Sequence, residues 1–275
     1  MYLKEAYEIA FESRDSWREG GGASTARINA NHVMRILGLY LDVSEVDTPH
    51  FKKLTEVCRK EGKSPATINR ITSSLSTLIN ELRQLGHKLS DIKFKRQKES
   101  QGRPHYYKEE EIDQLLDVAR TQFDDHMLLH DTIMFAFKTG CRRGELFKLT
   151  WNNIDFDEGT IEFLDTKTGH DHCLKMHEDL VTVLKRREDQ AIDDRVFGWN
   201  RADQILSEFK KCQELADIKT DKVFHTIRHT TATVLCKKGV PLRTVMGVMN
   251  HTNVNTTLRY AKPTDDAVAA AIDLL

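Results

Sequence analysis

Six side chains in the second half of this 275-residue chain form a set that could do phosphoryl chemistry: Arg142, Lys167, His225, Arg228, His251 and Tyr260. Each sits in a short frame. Arg142 lies in Thr139-Gly140-Cys141-Arg142-Arg143-Gly144-Glu145-Leu146, and Lys167 in Thr166-Lys167-Thr168-Gly169. His225 and Arg228 share His225-Thr226-Ile227-Arg228-His229, and His251 stands nine residues before Tyr260. Attack on a phosphodiester adds negative charge to the non-bridging oxygens, so a site working without a metal must hold positive donors where that charge grows. Arginines suit this, being permanently charged and planar, with paired donors that match two phosphate oxygens. The other members of the set could supply a general acid, a general base, a further phosphate donor and a nucleophile.

Local spacing refines these assignments. Arg142 follows Thr139-Gly140 at an expected helix start, where free backbone amides also favour anions. Glu145, three residues on, shares its helix face and could steer the guanidinium. His225 and Arg228 lie three apart on a helix expected to begin after Phe224, so they point the same way. A histidine of near-neutral pKa can take a tyrosine proton while its neighbour grips phosphate. Zinc competes for this segment, because His225 and His229 have i, i+4 spacing. The metalloprotease pattern, however, needs glutamate directly after the first histidine, and Thr226 stands there. Taken singly, Lys167 reads as a solvated turn lysine, His251 as a histidine hydrogen-bonded in a turn, and Tyr260 as a packing residue.

In this order the motifs resemble the tyrosine recombinase family, which includes phage integrases and Xer-type recombinases, over nearly the whole second half. The resemblance implies that Arg142 binds the scissile phosphate and that Lys167 protonates the departing 5′ oxygen, a step worth about 10²–10⁴-fold. It makes His251 a donor to the phosphate and Tyr260 the nucleophile, which leaves a 3′-phosphotyrosine and a free 5′ hydroxyl. Such a covalent intermediate keeps the bond energy, so rejoining needs no ATP. Neither a metal nor another cofactor is implied. The chain departs from the family at Met249-Asn250-His251, where Leu-Gly-His is usual. Asn tolerates the left-handed conformation that Gly provides, so the turn can survive.

The elements that must position these residues follow from periodicity. Hydrophobic content of 39% and charged content of 30% describe an ordinary soluble protein long enough for two modest domains. No stretch approaches a membrane span. Five scattered cysteines without a C-x-x-C pair favour reduced thiols and a cytoplasmic location. The net charge of −1 hides an asymmetry: residues 1–103 hold 18 Lys and Arg against 13 Asp and Glu, and the remainder 23 against 29. DNA affinity depends on where cations lie, so this balance predicts moderate, salt-sensitive binding.

Helical spacing is expected over 1–19, broken at Gly20-Gly21-Gly22, then over about 24–41 with Ser24 or Thr25 as cap and Ile28, Val33, Ile36 and Leu37 inward. Further helices are expected at 49–60 and 65–85, the last capped by Ser64, started by Pro65 and ended at Gly86. Residues 93–105 are basic, polar and aperiodic and read as a linker. Beyond them, helices are expected at 108–119 and 127–139, short antiparallel strands within 149–175 with a turn around 165–169, and helices again from Leu180.

The fold class is therefore mainly α with a small antiparallel β-sheet in the catalytic domain: a helical domain at 1–92, the linker at 93–105 and a mixed α/β catalytic domain at 106–275. The resemblance makes the first a core-binding domain that closes over DNA opposite the catalytic one. Candidate DNA contacts are Arg27, Asn69 and Arg70 there, and Lys95, Arg96 and Arg103 in the linker; solvated helix faces are the plain alternative. No arm-binding domain of the lambda type precedes these helices, so either the protein works on simple core sites or the chain is part of a longer one. After Tyr260, Ala267, Val268, Ala270, Ala271, Ile272 and Leu275 form a short apolar stripe, which packs on its own domain or, as the resemblance favours, on a neighbouring subunit.

The expected function is site-specific recombination of double-stranded DNA, with two sites held by a homo-tetramer and exchanged through a Holliday junction. An integrase of a phage or mobile element fits best, with room for an accessory DNA-bending protein and no role for a membrane. A type IB topoisomerase-like relaxing enzyme and a non-catalytic DNA-binding regulator on the same fold are the alternatives.

Overall fold

The computed structural model describes residues 1–19, 22–92, 94–99, 105–123, 126–164, 171–218, 221–261 and 272–273. The expectations for Arg103, for Lys167 and its turn, and for nearly all of the apolar tail fall outside these residues. The chain separates into two compact units, Met1–Gln101 and Gly102–Leu275.

The first unit is helical: α1 (Leu3–Ser13), α2 (Asp15–Arg18), α3 (Ala23–Leu37), α4 (Thr48–Lys60) and α5 (Pro65–Gln84). Its core joins Leu3, Tyr7, Ala10, Ala30, Val33, Phe51, Leu54, Ile71, Leu75 and Leu78. α5 starts as its sequence dictates, with the Ser64 side chain accepting from the Thr67 amide at 3.2 Å and Pro65 at the first helical position. Two boundaries differ from expectation. The first helix breaks at Arg14, which is extended, ahead of the glycines. That break lets Trp17 fold back to stack on Tyr7 and lie against Phe11, while Arg14 reaches Glu81 at 3.2 Å. α3 starts after Gly22 with no side-chain cap from Ser24 or Thr25, and Gly38 (φ 103°) ends it before Leu41. Its buried face is Ala26, Ala30, Val33 and Ile36, which leaves Ile28 exposed. Small alanines there allow close helix approach, and this outweighed the larger side chain.

Residues 94–99 are not a free strap. Phe94 stacks on Phe51 with ring centroids 4.8 Å apart. Asn69 gives its amide to the Gln97 carbonyl (2.9 Å) and to Glu99 (2.7 Å), and its side-chain oxygen accepts from the Gln97 amide (2.7 Å). A lone aromatic in a polar run is enough to fold that run back onto its unit.

The second unit contains α6 (Glu109–Thr121), α7 (Leu128–Thr139), α8 (Arg143–Lys148), strands β1 (Ile154–Asp155), β2 (Thr160–Phe163) and β3 (His172–Lys175), then α9 (Glu178–Asp189), α10 (Gln204–Leu215), α11 (His225–Lys237), α12 (Leu242–Val248) and α13 (Val254–Leu258). The mainly helical expectation with one small antiparallel sheet holds: the strands run β1-β2-β3, with Ile161 opposite Leu174 and Phe163 opposite His172. Ile161 and Phe163 alternate inward and join Phe135, Phe197 and Phe209 in the core around α7.

Asp131, fully buried on α7, fixes that helix to α9. It accepts a two-nitrogen fork from Arg186 (3.0 and 2.5 Å), forms an ion pair with the Arg187 guanidinium at 2.9 Å and lies 3.0 Å from the His130 ring. Since α7 delivers Thr139-Gly140 to the site below, this network sets the register of the site. Removing one partner of a buried charged set leaves the other charges uncompensated. Asp131→Ala is expected to lose about 3–5 kcal/mol of stability, read as a lowered urea midpoint in the transition reported by the buried Trp199, whose indole binds Thr132 one residue away. An unchanged midpoint would mean the network is solvated in solution.

Candidate active site

α7 ends in a left-handed turn at Gly140 (φ 63°), a position that favours glycine. The backbone conformation disfavours a side chain, and an added Cβ would meet the Met249 sulfur at 2.8 Å. The chain then passes Cys141, whose buried thiol is pushed up to about 12 mainly by desolvation, and presents Arg142 as the cap residue of α8. Glu145 holds Arg142 at both ends. It accepts the backbone amide at 2.7 Å and a guanidinium nitrogen at 2.6 Å.

A second turn, 249–251, meets the first. Arg142 donates to the Asn250 carbonyl at 3.3 Å. Arg228, on the first turn of α11 and 5% exposed, donates to the Gly140 carbonyl at 2.5 Å and to the Met249 carbonyl. Two guanidiniums thus bridge the two turns through carbonyls 140, 249 and 250. Asn250 adopts the left-handed conformation (φ 45°) expected of it in place of glycine. Burial, then the neighbouring Arg142, lowers Arg228 to about 10. A buried arginine next to another cation, with one carboxylate nearby, makes a concave patch whose charge an anion would balance.

His251 closes that turn, and its Nδ1 is 2.9 Å from the hydroxyl of the buried Thr257 on α13. Burial, then Arg228 and Arg142, holds it at about 4, so it is neutral near pH 7. Tyr260 follows α13, packs with Ala232, Val245 and Met249, and is half-buried. Burial raises its phenol above the ordinary range, against Arg259 and Arg228, which lower it.

The sequence expectation paired Tyr260 with His225. The structure places the Tyr260 hydroxyl on Nδ1 of His229, and His225 stands one helical turn earlier, edge-on to the His229 ring at 5.0 Å. Desolvation, then Arg228, Arg142 and Arg143, lowers His225. His229 is lowered to about 4 by burial, then by His225, Arg259 and Arg228. Spacing noted His229 only as a zinc partner, although it sits beside Arg228 on the same turn. Among the described residues, no group of three or more His, Cys, Asp or Glu side chains is placed to hold a metal ion.

His172 is a second site neighbour that spacing missed. It opens β3, stacks on Phe163 and has Nε2 3.1 Å from the Val248 carbonyl, so the sheet is tied to the turn that holds both arginines. Its position five residues after Lys167 was the available signal.

The candidate DNA contacts of the first unit divide. Arg27, Arg70, Lys95 and Arg96 are exposed. Arg27 lies 4.5 Å over the Phe11 ring and Arg96 lies 3.5 Å from Glu99. Asn69 differs from the expected exposed contact: it is 1% exposed and its carboxamide is taken up by Gln97 and Glu99, so here it serves as an internal clasp.

The family profile described as the phage integrase family matches residues 105–266. A probable integrase/recombinase of Methanocaldococcus jannaschii is 30% identical over 158 residues, covering 52% of this chain and 47% of the relative. A XerC-like tyrosine recombinase of Caldanaerobacter subterraneus is 24% identical, covering 72% of this chain and 62% of its own length. The chain thus spans about half to three fifths of these two curated relatives. The tyrosine recombinase XerD of Listeria innocua is 26% identical, with 75% and 74% covered. Among solved structures, the Tn1549 transposon integrase in complex with transposon right end DNA aligns with a TM-score of 0.79 at 17% identity, covering 100% of this chain and 99% of that one. A lambda integrase tetramer bound to a Holliday junction aligns with a TM-score of 0.79 at 17% identity, covering 95% and 78%. At such identities these likenesses show the fold. The chain belongs to the phage integrase family, and so to the tyrosine recombinases.

Two neutral histidines in the site link stability to pH. An unfolded histidine titrates near 6.5, above the folded value of about 4 for His229 and His251. As pH falls, the unfolded chain therefore binds protons first. Stability is level above about pH 7 and declines between about 6.5 and 4. The thermal midpoint is expected to fall over that window in scanning calorimetry, and less steeply in His251→Gln. A midpoint independent of pH there would mean that neither ring is desolvated.

Proposed function

We propose that this protein is a site-specific recombinase that cleaves and rejoins duplex DNA through a 3′-phosphotyrosine on Tyr260. Arg142 and Arg228 hold the non-bridging oxygens of the scissile phosphate, with His251 as a further donor and Glu145 fixing Arg142. Lys167, by family resemblance, protonates the departing 5′ oxygen. His225, on the exposed side of the first turn of α11, faces the same phosphate. The observation that carries this reading is the anchoring of Arg142 and Arg228 on the carbonyls of Asn250 and Met249, directly ahead of His251, with Tyr260 packed against Met249. Mere binding has no chemical need for a nucleophile beside such a cage.

The first unit acts as the core-binding domain, with Arg27, Arg70, Lys95 and Arg96 contributing to phosphate binding. These contacts release counterions, so affinity falls steeply with salt. Two recombination sites are brought together by four copies of the chain and exchanged through a Holliday junction. A cytoplasmic integrase of a phage or other mobile element is the role that fits this chemistry.

The test uses a nicked suicide duplex built on the sequence that the native protein enriches from a random duplex pool. A denaturation-resistant adduct is expected with EDTA present and absent in Tyr260→Phe, with the peptide at 260 carrying the nucleotide. Joining of two sites on separate duplexes is expected, without relaxation of one-site plasmids. Relaxation without joining would move the assignment to a topoisomerase, and tight binding without an adduct would move it to a regulator.

A further inference from the structure

We propose that His229 is the group that takes the proton of the Tyr260 phenol as its oxygen attacks phosphorus. The inference rests on the reading of Tyr260 as the nucleophile, and it moves the base from His225, where the spacing of the motif put it, to the next turn of the same helix.

Geometry is the first support. His229 Nδ1 is the ring atom in contact with the Tyr260 hydroxyl, and the two rings lie 5.7 Å apart and tilted by 37°. Among the described residues, no other side chain is shown hydrogen-bonded to that hydroxyl. With its proton on Nε2, His229 presents a lone pair at Nδ1 and the phenol donates to it. His225 is a full turn earlier on the helix, and its ring meets His229 edge-on at 5.0 Å. On α11, Arg228 and His229 are consecutive. The helix therefore delivers the phosphate grip and the proton acceptor from adjacent residues, with the relative position of the two fixed by backbone.

Electrostatics are the second support. The groups facing His229 are His225 and Arg228 on its own helix, Arg259 and Tyr260 after α13, and His251 before α13; Cys236 on α11 lies nearer Tyr260. Burial above all, then the positive field of His225, Arg259 and Arg228, keeps the His229 ring neutral in the free protein, which is the form able to accept a proton. They also make it a weak base. A phosphodiester seated on Arg142 and Arg228 would offset part of that positive field, so His229 gains basicity when substrate arrives. Substrate and base are thereby coupled, and the free enzyme does not hold a reactive phenolate.

The step balances. The Tyr260 oxygen forms its bond to phosphorus while the bond from phosphorus to the 5′ oxygen breaks. The phenol proton passes to His229 Nδ1, and the departing oxygen receives a proton from Lys167 in the reading above. Rejoining runs the same transfers backwards, with His229 returning the proton to the tyrosine.

The experiment is single-turnover adduct formation on the nicked suicide duplex described above, with DNA affinity measured separately. His229→Phe is expected to slow cleavage by about 10²–10⁴-fold while affinity for the duplex stays unchanged. His229→Gln, which keeps a polar acceptor without an exchangeable base, is expected to cleave at a rate that rises with pH through the range where the native rate is level. Fluorinated tyrosine at 260, a more acidic phenol, is expected to restore much of the rate to His229→Phe and to add little to His225→Gln. A merely structural role for His229 predicts no such rescue. Native-like rates in both His229 variants, or a loss of rate matched by a loss of DNA binding and not restored by the acidic phenol, would overturn the proposal. Failure of the native protein itself to form an adduct on bound duplex would remove Tyr260 as nucleophile, and this assignment with it.

Discussion

Two hydrogen bonds from the Arg228 guanidinium, to the carbonyls of Gly140 and Met249, tie together three segments that are distant in sequence. The end of α7, the first turn of α11 and the turn after α12 are each short and contribute little alone. An arginine bound to backbone in this way is fixed in position, yet carbonyls are neutral partners and leave its charge largely uncancelled. The fork that a phosphate would fill is therefore ready before the phosphate arrives. Such preorganisation is the main means by which a polar site stabilises developing charge without reorganising at the moment of reaction.

The surrounding structure follows from keeping that arginine in place. Glycine suits position 140, because the turn is left-handed and the buried Met249 side chain lies against it. Asp131 locks α7 to α9 and so fixes where the Gly140 carbonyl points. Glu145 holds Arg142 on the neighbouring carbonyl, and His172 ties the sheet to Val248 at the end of α12, just ahead of the turn. Burial, then repulsion from Arg142, acts against Arg228, and its lowered value records that cost. A second half with more acidic than basic residues overall still concentrates cations at one place, so net charge says little about what that place can bind.

Much of this was legible in the sequence where a chemical need and a local spacing coincide. Arg142 with Glu145, His225 with Arg228, and the Asn250 turn follow from helix periodicity and from the few residues that tolerate positive φ. Ser64-Pro65 fixed the start of α5 for the same kind of local reason. What could not be read depends on tertiary contact. The break at Arg14 exists because Trp17 has Tyr7 to stack on, and the inward face of α3 was decided by alanines that allow close packing. Asn69 has the composition of a DNA contact and the surroundings of a clasp. Spacing favoured His225, three residues before Arg228, and only the placement of Tyr260 brings His229 forward. Lys167 carries its role on resemblance alone.

The central claim is that Arg142 and Arg228 act by neutralising charge on the non-bridging oxygens of a scissile phosphate. A duplex with a neutral methylphosphonate at that position removes the charge and leaves the rest of the reaction intact. Single-turnover cleavage should be far slower in Arg228→Ala than in the native protein on ordinary DNA, and the gap should shrink greatly on the methylphosphonate. An equal defect on both substrates would show that Arg228 only holds the two turns together, and would contradict the account.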